Sequence, residues 1–166
     1  MTTKGQAMVA TPIAATSRYI PPGTTHYYYV ASISNKNAPT RPELDAGVDL
    51  TSEIADVSGF STTSEQKETP DLGSRFVSKI PGRISADDSS ITMYMSSTSS
   101  DVRTLLPRDT AGFIVAFSEG DVAGRKMDVF PIKVSAQPKK RDIEDVATIE
   151  IQFSITSVPA ENVTVP

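Results

Sequence analysis

Hydrophobic and polar positions alternate along much of this chain with the two-residue period of strands. The longest clean stretch is Val146 to Ile155, where Ile149, Ile151, Phe153 and Ile155 fall on one side and Thr148, Glu150, Gln152 and Ser154 on the other. Ser90 to Met95 alternates too, with Ile91, Met93 and Met95 opposite Thr92 and Tyr94. Phe113 to Phe117 is apolar without interruption, the pattern of a strand covered on both faces. Met127, Val129, Ile132 and Val134 predict another strand, with Pro131 marking a bulge or an edge. His26 to Ile33, with Tyr27, Tyr28, Tyr29 and Val30, is β-prone with bulk on both faces. Gly120 and Gly124 frame one hairpin-length turn and Pro138 to Asp145 a longer, charged one, so the last three strands form an antiparallel meander.

Helix is scarce. Thr98-Ser99-Ser100-Asp101 is a capping box ahead of Val102, Leu105 and Leu106, and Pro107 ends the run. Thr40-Arg41-Pro42-Glu43 offers a second cap, with Gly47 where a C′ glycine belongs; that element spans a turn or two at most. Residues 49–88 are sparse in large apolar side chains, with Ile54, Val57, Phe60, Phe76 and Ile80 scattered among them. Loops of such length inside one domain are usually functional, and an extended hairpin of Gly59 to Ser64 against Arg75 to Ile80 is expected here. The ends read as extended arms, residues 1–25 with Ile20-Pro21-Pro22-Gly23 and residues 158–166, flanking a body of residues 26–157. The predicted class is mainly β, an antiparallel β-sandwich or partial barrel with one short flanking α-helix, a long loop and extended terminal arms.

Composition narrows the chemistry. The chain has 166 residues, a formal charge of −4, one histidine and no cysteine or tryptophan. Cysteine-based zinc sites, thiol nucleophiles and disulfides are excluded, and a Ser-His-Asp triad would have to use His26. His26 sits in the tyrosine block and reads as a packed structural residue. Asp45 with Asp49, and Asp87 with Asp88, lack the spacing of a calcium loop and read as solvated turn carboxylates. No phosphate-loop, dinucleotide or nucleophile-elbow motif occurs, and Lys139-Lys140-Arg141 is answered at once by Asp142, Glu144 and Asp145. Acidic balance argues against a dedicated nucleic-acid binder. No segment fits a signal peptide or a spanning helix, so no membrane anchor is expected, and the Asn162-Val163-Thr164 sequon reads as coincidental. No enzyme and no cofactor is expected.

Several segments taken in order carry a resemblance: Thr16-Ser17-Arg18-Tyr19-Ile20-Pro21-Pro22-Gly23-Thr24-Thr25, Pro39 to Gly47, Glu53 to Phe60, Thr69 to Phe76, Ile80-Pro81-Gly82-Arg83, Gly124 to Pro131 and Ser157 to Val163. The chain from about Thr11 resembles the major tail proteins, or tail tube subunits, of long-tailed non-contractile bacteriophages, above all those infecting actinobacteria.

That resemblance implies a virion protein, assembled in the host cytoplasm. Subunits would close as homo-hexamer rings, each lending about four strands to an inner barrel. Rings would stack round a tape-measure protein, with tail terminator and distal tail proteins at the ends and DNA passing in transit without specific binding. Twenty-four strands about 4.8 Å apart and tilted near 40° enclose a circle of about 48 Å, leaving a bore of about 38 Å. The long loop and the arms would bridge rings, which makes Phe60, Glu65, Asp71, Arg75 and Phe76 candidate inter-ring residues. An acidic wall lets DNA slide, so Thr148, Glu150, Gln152 and Ser154, joined by Asp128, are candidates for the lumen. The same polar face is equally compatible with plain solvent exposure or with the outside of a tube. A carbohydrate-binding or adhesive β-sandwich and a capsid decoration protein are the competing readings.

Overall fold

The alternating segments become strands of one antiparallel sheet. The computed structural model describes residues 10–166, so the first nine residues of the expected N-terminal arm lie outside the described residues. The strands are β1 (His26–Val30), β2 (Val48–Asp49), β3 (Ile54–Ser58), β4 (Thr62–Thr69), β5 (Ser78–Ala86), β6 (Ser89–Tyr94), β7 (Ala111–Phe117), β8 (Lys126–Ala136), β9 (Lys139–Lys140), β10 (Thr148–Ile155) and β11 (Ala160–Thr164). Two short helices join them, α1 (Arg41–Asp45) and α2 (Val102–Leu105).

The large sheet runs β2-β1-β7-β8-β10-β6-β3, and β4 with β5 forms a separate two-stranded sheet. One face of the large sheet, from Tyr29 on β1 through Ile114, Phe130, Ile132 and Ile151 to Ile91 and Met93 on β6, feeds a single apolar cluster. The sheet therefore wraps round that core as a partial barrel, open at its end strands. Val102 and Leu106 of the α2 segment complete the cluster. The opposite face of β1, β7 and β8 carries a second core of Val30, Val115, Phe117, Met127 and Val129, covered by Leu44 of α1 and by Ala160 and Val165. The unbroken apolar run of β7 follows from this: Ile114 and Ala116 enter one core, Val115 and Phe117 the other.

Four expectations change in detail. The hairpin forms, but with Thr62–Thr69 against Ser78–Ala86 rather than Gly59 to Ser64 against Arg75 to Ile80. The cap of α2 is Asp101, whose carboxylate accepts the Arg103 N–H at 3.0 Å, one turn later than a Thr98 box would place it. Around the same carboxylate converge the Ser96 N–H at 2.8 Å and the Arg103 guanidinium at 2.6 Å, holding its pKa down at about 2. Ile54–Ser58, inside the expected long loop, is a strand of the body paired with β6; a register shift between Ile54 and Asp56 breaks its alternation. At the other end, residues 160–164 do not hang free: β11 pairs with β8, and Val165 is buried.

α1 forms as its sequence predicts. Thr40 donates both its N–H and its hydroxyl to Glu43 at 2.8 and 2.9 Å, closing the N-terminus. Arg41 then forks onto Asp121 through two hydrogen bonds of 2.5 and 2.8 Å, and Tyr28 donates to the same carboxylate at 3.1 Å. Burial and that hydrogen bond push the Tyr28 phenol up to about 12. Helix, first strand and the β7–β8 turn are thus tied together by one charged knot.

Candidate functional site

Four of the predicted residues share one surface. Their inward-facing neighbours Ile149, Ile151 and Phe153 are buried, so Thr148, Glu150, Gln152 and Ser154 must look outward from β10. Register extends this polar face sideways. Glu150 stands opposite Thr92, Gln152 opposite Ser90, and beyond them Asp56 and Ser58 of β3 stand opposite the same two residues. On the other flank Ser154 faces Lys133, and Thr148 faces Lys140. An open depression of about 380 Å³ lies here, bordered by Ser58, Asp88, Ser90, Glu150, Gln152 and Ser154.

The charge on this face is mixed rather than uniformly acidic. Lys133 pairs with Asp109 at 3.1 Å and Lys140 reaches Asp145 at 3.8 Å, so both cations already have counter-charges. Asp56 and Glu150 have no basic partner within 4 Å among the described residues. The uncompensated charge is negative, and the rest is hydroxyl and amide that hold water. No group of three or more metal-ligating side chains occurs among the described residues.

Asp128 is not part of this surface. It pairs with Ala116 across β7–β8, on the face that carries Phe130, and its carboxylate accepts the Asn162 N–H at 2.7 Å. Strand parity separates it from Glu150, which the even numbering of both residues concealed. His26 is likewise remote from any catalytic arrangement: its Nδ1 is buried without a hydrogen-bond partner, 3.8 Å from Asp49.

The backbone of the four-stranded wall explains how this face is presented. β8 and β9 act as one strand against β10, because Gln152 faces Ala136, the Glu150 N–H donates to Pro138 O and Thr148 faces Lys140. The order across the wall is therefore β3, β6, β10, then β8 with β9. β3 at the end of the sheet has only β6 beside it, and β9 has only β10. β3 and the two residues of β9 leave backbone donors and acceptors free of strand partners among the described residues, while β8 itself is paired with β7 on that side.

The candidate inter-ring residues occupy two different environments. Phe60 sits at the neck of the β4–β5 hairpin, with its ring 5.2 Å from that of Phe130 and 5.8 Å from that of Phe153. There Gly59 adopts φ +79°, and buried Ser89 accepts the Phe60 N–H at 2.9 Å. Glu65, Asp71, Arg75 and Phe76 stand out in solvent along the hairpin and its tip. Glu65 pairs with Lys67 at 3.1 Å, and Asp71 accepts the Gly73 N–H at 2.7 Å to shape the turn.

Sequence reasoning passed over Ile84 on the same hairpin. Phe76, Ile80 and Ile84 are 77, 52 and 61 % exposed. Phe76 precedes β5, and a bulge in β5 between Pro81 and Ile84 turns Ile80 and Ile84 to opposite faces of the hairpin. An isolated two-stranded hairpin is marginal in water, and exposed apolar side chains along both of its faces mark a segment meant to be covered.

Solved structures share this architecture. The chain superposes on a chain of the sheath/tube terminator of an extracellular contractile injection system in its extended state, with a TM-score of 0.59, 12 % identity and coverage of 86 % of this chain and 96 % of that one. A chain of the anti-feeding prophage baseplate gives 0.55 at 10 % identity, covering 90 % and 95 %. A chain from the tail of an empty gene transfer agent particle, refined with C6 helical symmetry, gives 0.51 at 8 % identity, covering 83 % and 93 %. No curated protein sequence matches the chain. The family model described as phage tail tube protein matches residues 13–166. A chain matched over nearly its whole length and built as a partial barrel with a polar wall belongs to the phage tail tube protein family, and its role is structural.

Proposed function

We propose that six copies of this chain close into a ring whose inner wall is the β3-β6-β10-β8 face, and that rings stack into the tail tube of a long-tailed, non-contractile phage like those infecting actinobacteria. The observation that carries this reading is the wall itself, with one face in the core, one face polar, and open strand edges at β3 and at the short β9 that continues β8. Edge strands are normally blunted or covered, and pairing β3 of one copy with the β9 side of the next removes both edges at once. Such a contact joins two different patches of the same chain, as ring closure by rotation requires. The sixfold symmetry of the gene transfer agent tail supports the same number here.

In this arrangement Thr148, Glu150, Gln152 and Ser154 line the bore together with Asp56, Ser58, Ser90 and Thr92. Their residual negative charge keeps DNA from lodging, because each phosphate neutralised by a cation would add affinity through counterion release. The tape-measure protein fills the lumen during assembly in the host cytoplasm, and terminator and distal tail proteins close the two ends. The hairpin reaches the adjacent ring. The subunit carries out no catalysis.

Negative-stain electron microscopy of concentrated protein, beside its solution mass, tests the reading. Rings or tubes, or a particle of about 107 kDa from subunits of 17.8 kDa, is the expected result. A 17.8 kDa monomer that stays unpolymerised when tail initiator complexes are added would overturn it.

A further inference from the structure

We propose that the hairpin of one ring seats in a specific groove on the next, between β2 and α2, with Phe76 on its apolar floor and Arg75 against Glu53. This rests on the stacked-ring reading above and names the acceptor that reading leaves open.

The position of the groove is the first argument. The hairpin leaves the body where β3 ends and β6 begins, at Ser58 and Ser89, which lie on one end of the β3–β6 pair. The groove lies at the other end of the same pair, beside Glu53 and Met93, and Met93 faces Ile54 across it. A protein that stacks head to tail needs donor and acceptor on opposite ends of each copy, since that heterologous contact repeats without closing on itself.

Chemistry is the second argument. The groove, about 290 Å³, has an apolar floor of Leu50, Met93, Val102 and Leu105. Its rim carries Asp49 and Glu53. Glu53 has no basic partner within 4 Å among the described residues, whereas Asp101 on the far rim is already bound by Arg103. The hairpin tip offers the complement: Leu72 fully exposed, Phe76 77 % exposed, and Arg75 with no acidic partner within 4 Å among the described residues. Aromatic anchors that enter a pocket beside a charge pair are the usual energetic centre of a protein interface.

The chain contains no cysteine, which gives disulfide trapping a clean background. Val77→Cys, beside Phe76, and Thr104→Cys are made separately, mixed, allowed to polymerise and oxidised; Val77→Cys with Ser154→Cys on the polar face is the control pair. Covalent dimers from the first mixture and not from the control are expected. Polymer that forms without linking above the control overturns the groove while leaving the tube standing; unmodified protein that forms no polymer even with tail initiator complexes added overturns the tube, and this contact with it. A charge exchange provides a second reading independent of thiols. Arg75→Glu and Glu53→Arg should each block stacking, and the two changes in one chain should restore it. Failure of the double variant to assemble, with both singles folded by circular dichroism, overturns the pairing.

Discussion

Phe60 and Phe130 stand edge to face with their rings 5.2 Å apart, so the residue that opens the hairpin is also a plug in the main core. Only sixteen positions later, Phe76 projects into solvent. These two phenylalanines of one segment do different work, and substitution separates them. Phe60→Ala should lower unfolding stability by about 2–3 kcal/mol, less than a fully enclosed phenylalanine because Phe60 is only partly buried. Phe76→Ala should shift it by no more than about 0.5 kcal/mol yet impair polymerisation. Urea denaturation of the two variants beside sedimentation of their polymers checks both statements.

Glu150 lies between Thr92 and the β8–β9 strand in the middle of the polar wall. In virions carrying Glu150→Lys, tails should assemble normally and DNA ejection should slow. The delay should shrink as salt rises, since a lysine–phosphate contact weakens with counterion concentration. Ejection that runs at the normal rate at low salt would remove Glu150 from the lumen.

The Asp101 carboxylate collects the Ser96 and Arg103 N–H groups and the Arg103 guanidinium. Hydrogen bonding to Arg103 is the main reason its pKa falls from 3.8 to about 2. The folded value is below the unfolded one, so this carboxylate stabilises the protein above pH 3.8, and that contribution disappears as pH falls toward 2. Asp101→Ala should cost about 1–2 kcal/mol at neutral pH through loss of the α2 cap. The gap between variant and wild type should narrow in urea titrations repeated below pH 3.

At the hairpin neck, a Cβ on Gly59 would stand 2.3 Å from the Asp88 carbonyl and 2.7 Å from the Ser89 Cα, both main-chain atoms that cannot swing aside. Gly124 has a similar φ, +85°, but open space around it. Gly124→Ala should therefore cost only the left-handed penalty of about 1 kcal/mol, and Gly59→Ala distinctly more. Thermal melts of the two variants make the comparison directly.

Strands whose burial is one-sided were easy to read. β10 and β6 alternate because each has core on one face and water on the other, and the doubly covered β7 showed as an unbroken apolar run. β3 was hidden, because its register shift puts Ile54 and Val57 out of step and its strand partner β6 comes only after the whole β4–β5 hairpin, with Ser58 opposite Ser90 and Ile54 opposite Met93. β11 read as a tail because few of its side chains are apolar; what holds it is the edge of β8, a long-range partner that no local pattern announces. The polar face was legible on β10 and, through Thr92, on β6. Its continuation onto Asp56 and Ser58, and the exclusion of Asp128, follow from register, which the linear sequence does not carry.

β8 is paired along one side with β7 and along the other first with β11 and then with β10. Its Met127 and Val129 sit in one core and its Phe130, Ile132 and Val134 in the other. Neither layer of the subunit can loosen while the other stays intact, since both are bolted to the same spine. Amides in the middle of β8 should then exchange with solvent only when the whole molecule opens. In the proposed ring, a wall made from such subunits would have no soft inner lining to peel away under the pressure of a passing genome.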